Sequence, residues 1–204
     1  MKTFLALALF ITLSSSLFSQ NEPHVFTILA GGTVGKFNVD AGSNFNSFYT
    51  DRKLAYTGVA GLGNGETFVI AKYRFFDASG QSKVVNVDAT GAADWKQRIL
   101  SAGFRFHNGG SPVYIDALYV LTHAEESIGT TNPSVDVLTA SQKIDDRGFA
   151  FAFGFAPRIA GPIALDFELE YSFMLRQSSN DAGRQVPNLG GLYYGGGILF
   201  YFNN

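Results

Sequence analysis

The chain contains no cysteine, little charge, and no long apolar run after its first twenty residues: 16% of its 204 residues are Asp, Glu, Lys or Arg. The missing cysteines rule out a disulfide framework but leave the redox compartment open, because an exported chain need not use one. The missing apolar run excludes a helical membrane protein. Basic residues are not in excess, with 15 Lys and Arg against 17 Asp and Glu, so no nucleic-acid partner is expected. What the chain has in quantity is glycine and phenylalanine, 23 and 20 residues. They meet most regularly in Gly148-Phe149-Ala150-Phe151-Ala152-Phe153-Gly154-Phe155-Ala156, where large aromatics alternate with almost nothing. On a strand that pattern puts every aromatic on one face and leaves the other face bare.

The N-terminus reads differently from the rest. Lys2 precedes the apolar run 4–11, and the small-residue segment 14–19 follows, as in a secretory signal peptide cut near Ser19 or Gln20. Residues 1–20 are therefore expected to be a cleaved signal and 21–204 a single barrel domain. Cleavage there removes Lys2 and leaves 14 basic residues to 17 acidic ones.

From Pro23 onward the chain alternates strand patterns with breaks and shows no sustained helical period. Eight strands are predicted, at 24–39, 52–62, 66–77, 96–107, 112–125, 147–157, 163–176 and 191–202. The breaks at Gly63-Asn64-Gly65, Asn108-Gly109-Gly110-Ser111 and Arg158-Ile159-Ala160-Gly161-Pro162 are tight. Those at 40–51, 78–95, 126–146 and 177–190 are long and polar. Short and long connections alternate strictly, as they do in a bacterial outer-membrane barrel with periplasmic turns and extracellular loops. Even strand number puts both termini on the periplasmic side.

With an export signal, this alternation and the aromatic last strand Leu192–Phe202, the chain resembles the small eight-stranded outer-membrane β-barrels of the OmpA-domain and OmpX kind. The resemblance implies an all-β, antiparallel, up-and-down transmembrane barrel located in the outer membrane. It also implies outer-membrane lipid as surroundings and a final strand read by the outer-membrane insertion machinery. Asn203-Asn204 after Phe202 departs from that family's ending.

The seventh strand sets the facing. Leu165, Phe167, Leu169, Tyr171 and Phe173 share one side, and Asp166, Glu168, Glu170 and Ser172 the other. A carboxylate in lipid costs on the order of a few kcal/mol, so the acidic row points inward. Phe149, Phe151, Phe153 and Phe155 then face lipid with the apolar row of the seventh strand. The third strand contributes Glu66, Lys72 and Arg74 to the interior, the fourth Arg105 and the fifth Asp116. Lys72 and Arg74 are expected to reach Glu168 and Glu170 across the lumen, with Glu66, Arg105 and Asp116 as a second cluster nearer the periplasm; Asp166 completes the ion-pair network. The two first strands are too rich in glycine to assign a facing.

Sites for chemistry are sparse. His24 and His107 fall at the periplasmic end, and His123 lies at the opposite rim, followed by Glu125, Glu126 and Ser127. The His and Ser two residues apart that an outer-leaflet deacylase barrel uses are missing, so no enzyme is expected. Nor do His123, Glu125, Glu126, Asp145 and Asp146 have tight metal-ligand spacing, and no cofactor or metal is expected. Trp95, Tyr171, Tyr193 and Tyr194 are assigned to an interfacial girdle. The reading is a barrel with a filled lumen and a structural or surface-interaction role, with 78–95 and 126–146 as the segments that would meet a surface partner. A narrow porin-like or hydrophobic-solute channel, an outer-leaflet lipid-modifying enzyme and a soluble lipocalin-like barrel are the alternatives.

Overall fold

Alternating inward and outward side chains, sustained over nine to eighteen residues, build nearly every described segment as a strand. The structure, a computed structural model, describes residues 26–40, 49–83, 90–108, 111–130, 140–175 and 188–203. The strands are β1 Thr27–Val39, β2 Asp51–Arg52, β3 Ala55–Gly63, β4 Thr67–Lys83, β5 Thr90–His107, β6 Val113–Thr130, β7 Ala140–Phe155, β8 Arg158–Ala160, β9 Ile163–Met174 and β10 Gly191–Asn203. Eight of them form the wall, in the order β10, β1, β3, β4, β5, β6, β7, β9, and β9 pairs with β10 to close it. Every neighbouring pair is antiparallel, so the wall is an up-and-down eight-stranded barrel with no open edge along its common height. The two short strands are additions: β2 lies on β4 at Ser79 and Ala78, and β8 folds back on the start of β9. The predicted signal segment, His24, Val84–Val87 and Val135–Leu138 lie outside the described residues.

The short-turn end of the barrel gathers the turn at 64–66, the pair Asn108 and Ser111 joined by a backbone hydrogen bond, the segment 156–162 and both ends of the described chain, where Thr27 pairs with Asn203 and Gly63. Asn64 makes the first turn compact, its Oδ1 accepting the backbone N–H groups of Glu66 at 3.1 Å and Thr67 at 2.8 Å. Gly65 supplies the left-handed backbone this needs, at φ 93°.

The other end differs from the sequence expectation. β4 runs on to Lys83 and β5 begins at Thr90, with the two paired throughout, and β6 and β7 likewise continue to Ile128 opposite Ala140. Most of 78–95 and much of 126–146 is therefore strand, standing higher than β1, β3, β9 and β10. These extensions keep an apolar inner row of Phe76, Ala78, Ala93, Trp95, Ala124 and Ile144, all buried. Their outer rows are polar because they stand above the apolar band, and that polarity disguised them as loop. The second predicted strand is similarly divided into β2 and β3.

The facing of the first strands is settled by burial. Leu29, Thr33, Phe37 and Val39 of β1 and Ala55, Thr57 and Val59 of β3 are buried, while Ile28, Val34, Tyr56 and Leu62 are exposed. On β7 the four phenylalanines from Phe149 to Phe155 are between 40% and 57% exposed. Phe167, Leu169 and Tyr171 of β9 are equally open, with Leu165 and Phe173 half-buried beside them. A soluble barrel would place these rings in its core; here they cover the outside, an apolar surface far larger than water tolerates.

Candidate functional site

The inside of the barrel holds charge. Lys72 and Arg74 come from β4, Arg105 from β5, Asp116 from β6 and Glu168 and Glu170 from β9, and each is 5% exposed or less. Lys72 Nζ donates to Glu168 at 2.6 Å and to Glu170 at 3.1 Å, and it is ion-paired with Asp116 at 2.7 Å. Arg74 donates to Glu170 at 2.7 Å, to Glu168 at 3.4 Å and through Nε to Thr57 at 2.8 Å. Arg105 grips Asp116 with two parallel bonds of 2.8 and 2.9 Å and reaches Glu168 at 3.4 Å. Three cations thus meet three carboxylates in one layer across the lumen, where the sequence suggested two clusters.

Two predicted members stand apart from the ion pairs. Glu66 is exposed in the first short turn, where its carbonyl oxygen accepts the backbone N–H of His107. The turn takes over from the strand at that residue, so the alternation that pointed it inward no longer applies. Asp166 is buried in the lumen, but its described contact is the hydroxyl of Tyr114, which donates to Oδ1 at 2.7 Å.

Two tyrosines absent from the predicted network hold its arginines. Arg105 Cζ lies 3.6 Å from the ring centre of Tyr114, and Arg74 Cζ lies 3.8 Å from that of Tyr193. Each such stack is worth about 2 kcal/mol when desolvated. Each tyrosine in turn rests on a glycine: a Cβ on Gly154 would collide with the Tyr114 ring, and one on Gly195 with the Tyr193 hydroxyl. The bare inner face of β7 is therefore the space that Tyr114 and Arg105 occupy. Register was the missing information, since Tyr114 is opposite Gly154 only once β6 is paired with β7.

Above the ion-pair layer the lumen is filled with apolar groups. The Phe37 and Phe76 rings meet edge to face at 5.7 Å, and Tyr49, from the first long connection, packs 5.8 Å from Trp95. Leu189, from the last long connection, is fully buried, and its carbonyl accepts from Gln97 Nε2 at 2.7 Å. The girdle assignment is thus corrected for Trp95 and Tyr193, which face inward at 1% and 0% exposure, while Tyr171 and Tyr194 face outward. Alternation back from Arg105 through Gly103, Ser101, Ile99 and Gln97 reaches Trp95 without a break, and that signal was present in the sequence.

At the outer rim, above the apolar band, His123 has both ring nitrogens on carboxylates: Nδ1 is 2.6 Å from Asp145 and Nε2 3.4 Å from Glu125. Lys143 extends the ladder to Glu125 at 3.1 Å. The hydrogen bond to Asp145, followed by that to Glu125, raises the His123 imidazolium above its ordinary range. In its protonated form the ring donates to both carboxylates. Glu126 turns to the opposite face and accepts from Tyr49 at 2.5 Å.

No protein-family model and no curated protein matches the chain. Among solved structures it is similar to Ail, the attachment invasion locus protein of Yersinia pestis, with a TM-score of 0.52 and 13% identity over 88% of this chain and 99% of that one. Neisserial surface protein A scores 0.46 at 15% identity, covering 87% of this chain and 97% of the other. The N-terminal barrel domain of Pseudomonas aeruginosa OprF scores 0.43 at 12% identity, covering 88% and 98%. At these identities the likeness is one of fold, and the Ail comparison carries it. A closed eight-stranded wall, apolar outside and charged within, gives this chain the fold of the small outer-membrane β-barrels.

Proposed function

We propose that the protein is a non-conducting outer-membrane barrel that anchors and displays its raised hairpins at the cell surface. The observation that supports this reading is the ion-pair layer: Lys72, Arg74 and Arg105 interlock with Asp116, Glu168 and Glu170 from opposite walls, leaving no cation of the three free to line a pore. Tyr49, Trp95 and Leu189 cover the layer from the extracellular side. A hydrophobic-solute channel needs an apolar path at mid-depth, and the charges stand in it. The purified protein in planar bilayers is expected to show no stable unitary conductance; a well-defined conductance would overturn the closed lumen.

Surface interaction belongs to the hairpins β4–β5 and β6–β7, which rise above the other strands. Their partner class is a surface component met outside the cell, while lipid surrounds the aromatic band and the insertion machinery reads β10. Replacing residues 131–139 by an Asn-Gly turn is expected to leave the barrel folded and to reduce surface attachment or envelope integrity. Unchanged attachment and integrity would remove the hairpin role while leaving the fold untouched.

A further inference from the structure

Tyr49 belongs to a long connection, yet it is as buried as the ion pairs of the lumen. Two residues later β2 pairs with β4 just above the point where β3 ends, and the Lys53 N–H donates to the Asp77 carbonyl at 3.0 Å. From that edge Tyr49 crosses two strands. Its ring meets Trp95 of β5 at 5.8 Å, and its hydroxyl donates to Glu126 of β6 at 2.5 Å. Trp95 and Glu126 are directly paired, on the inner face of the raised sheet. One side chain of the first long connection therefore holds both raised hairpins.

The last long connection is tied to the same place. Trp95 Nε1 donates to Gln97 Oε1 at 3.2 Å, and Gln97 Nε2 donates to the Leu189 carbonyl. Tyr49, Trp95, Gln97 and Leu189 are all buried, and the low local dielectric strengthens the bonds that run from Trp95 to Leu189. A second route joins the two connections through backbone, the Asp40 N–H donating to the Gly190 carbonyl at 2.8 Å. Arg52 braces Tyr49 from behind: its Nε donates to the Tyr49 carbonyl at 3.3 Å and its Nη1 to Asn38 Oδ1 at 3.2 Å.

We infer that Tyr49 is the latch of the outer end: it joins the first connection, both raised hairpins and the last connection into a single cooperative unit. Groups that share one network of hydrogen bonds and packed rings are energetically coupled, so a change at Tyr49 is felt at Gly190 through Trp95 and Gln97, and at Asn38 through Arg52. The unit belongs to the barrel itself and stands without a partner. On the surface role proposed above, it means that a partner meets one assembled face instead of separate hairpins.

Tyr49→Phe removes the hydroxyl that Glu126 accepts and keeps the ring. In the folded protein in nanodiscs, amide exchange at Lys53 and Asp40 is expected to rise together, by roughly tenfold for the loss of one hydrogen bond to a charged group. The amides of β9 from Leu165 to Tyr171 are expected to keep their protection. Tyr49→Ala also strips the ring from Trp95, the chain's one tryptophan, and its emission is expected to shift to the red. An Asp40 amide unchanged in both variants would overturn the unit, whatever happens at Lys53. So would equal acceleration in β9, which makes Tyr49 an element of general stability, or an unshifted Trp95 emission in Tyr49→Ala.

Discussion

Two groups of ion pairs in this barrel use the same kinds of residue in opposite surroundings. In the lumen, Lys72 contacts three carboxylates with its side chain 2% exposed. At the rim, Lys143 contacts Glu125 with its side chain 69% exposed, and His123 bridges Glu125 and Asp145 at 41%. Water screens the rim pairs, so each is worth no more than about 1 kcal/mol. The lumen pairs have no water to fall back on, and their strength shows as the penalty for leaving one member alone. Neither group is evidence of great stability, since an apolar filling of equal volume stabilises a barrel as well. What the lumen layer provides is a fixed cross-connection between β4, β5, β6 and β9 that closes the passage.

The sharpest way to break this comparison is Lys72→Met, which leaves Asp116, Glu168 and Glu170 facing only two arginines. A loss of about 3–5 kcal/mol is expected in reversible urea unfolding from a bilayer or detergent. A loss below about 1 kcal/mol would make the lumen indistinguishable from the rim. Next comes a charge moved to the outer wall: Phe151→Arg, at the most open phenylalanine of the β7 row, should cost about 2–4 kcal/mol in lipid. A neutral result there would mean that the aromatic face does not meet hydrocarbon.

A smaller effect tests how the layer is held. Gly154→Ala drives a methyl group into Tyr114 and should cost about 1–3 kcal/mol, with Arg105 losing its stacking surface. The double variant Gly154→Ala with Tyr114→Leu should recover part of that cost, and complete additivity of the two changes would deny their contact.

The smallest effect is at the rim. Because His123 titrates higher in the folded barrel than unfolded, its contribution is complete below about pH 6.5 and disappears as the pH rises through the raised value. Wild type should exceed His123→Gln by a few tenths of a kcal/mol at about pH 5.5, and the two should coincide at about pH 9. A difference that grows with pH would reverse the assigned protonation.

The sequence by itself determined the barrel and its polarity. In a membrane barrel the acidic alternation of β9 and the phenylalanine alternation of β7 have only one orientation, because a carboxylate row in lipid costs more than any local preference supplies; the exposed phenylalanine row removes the inverted facing of a soluble barrel. The strict succession of short and long breaks then set strand number and closure. Tertiary structure decided the rest, since it depends on which residue stands opposite which. Register made a single layer out of two suspected clusters and put Tyr114 against Gly154, while the first turn took Glu66 out of the strand. It extended β4 to β7 past the apolar band, where polar outer rows conceal strands from any pattern based on hydrophobicity. It also brought Tyr49 onto Trp95, whose inward facing the alternation of β5 already carried. A lumen is filled by side chains from every wall at once, and a single strand records only the direction in which its own residues point.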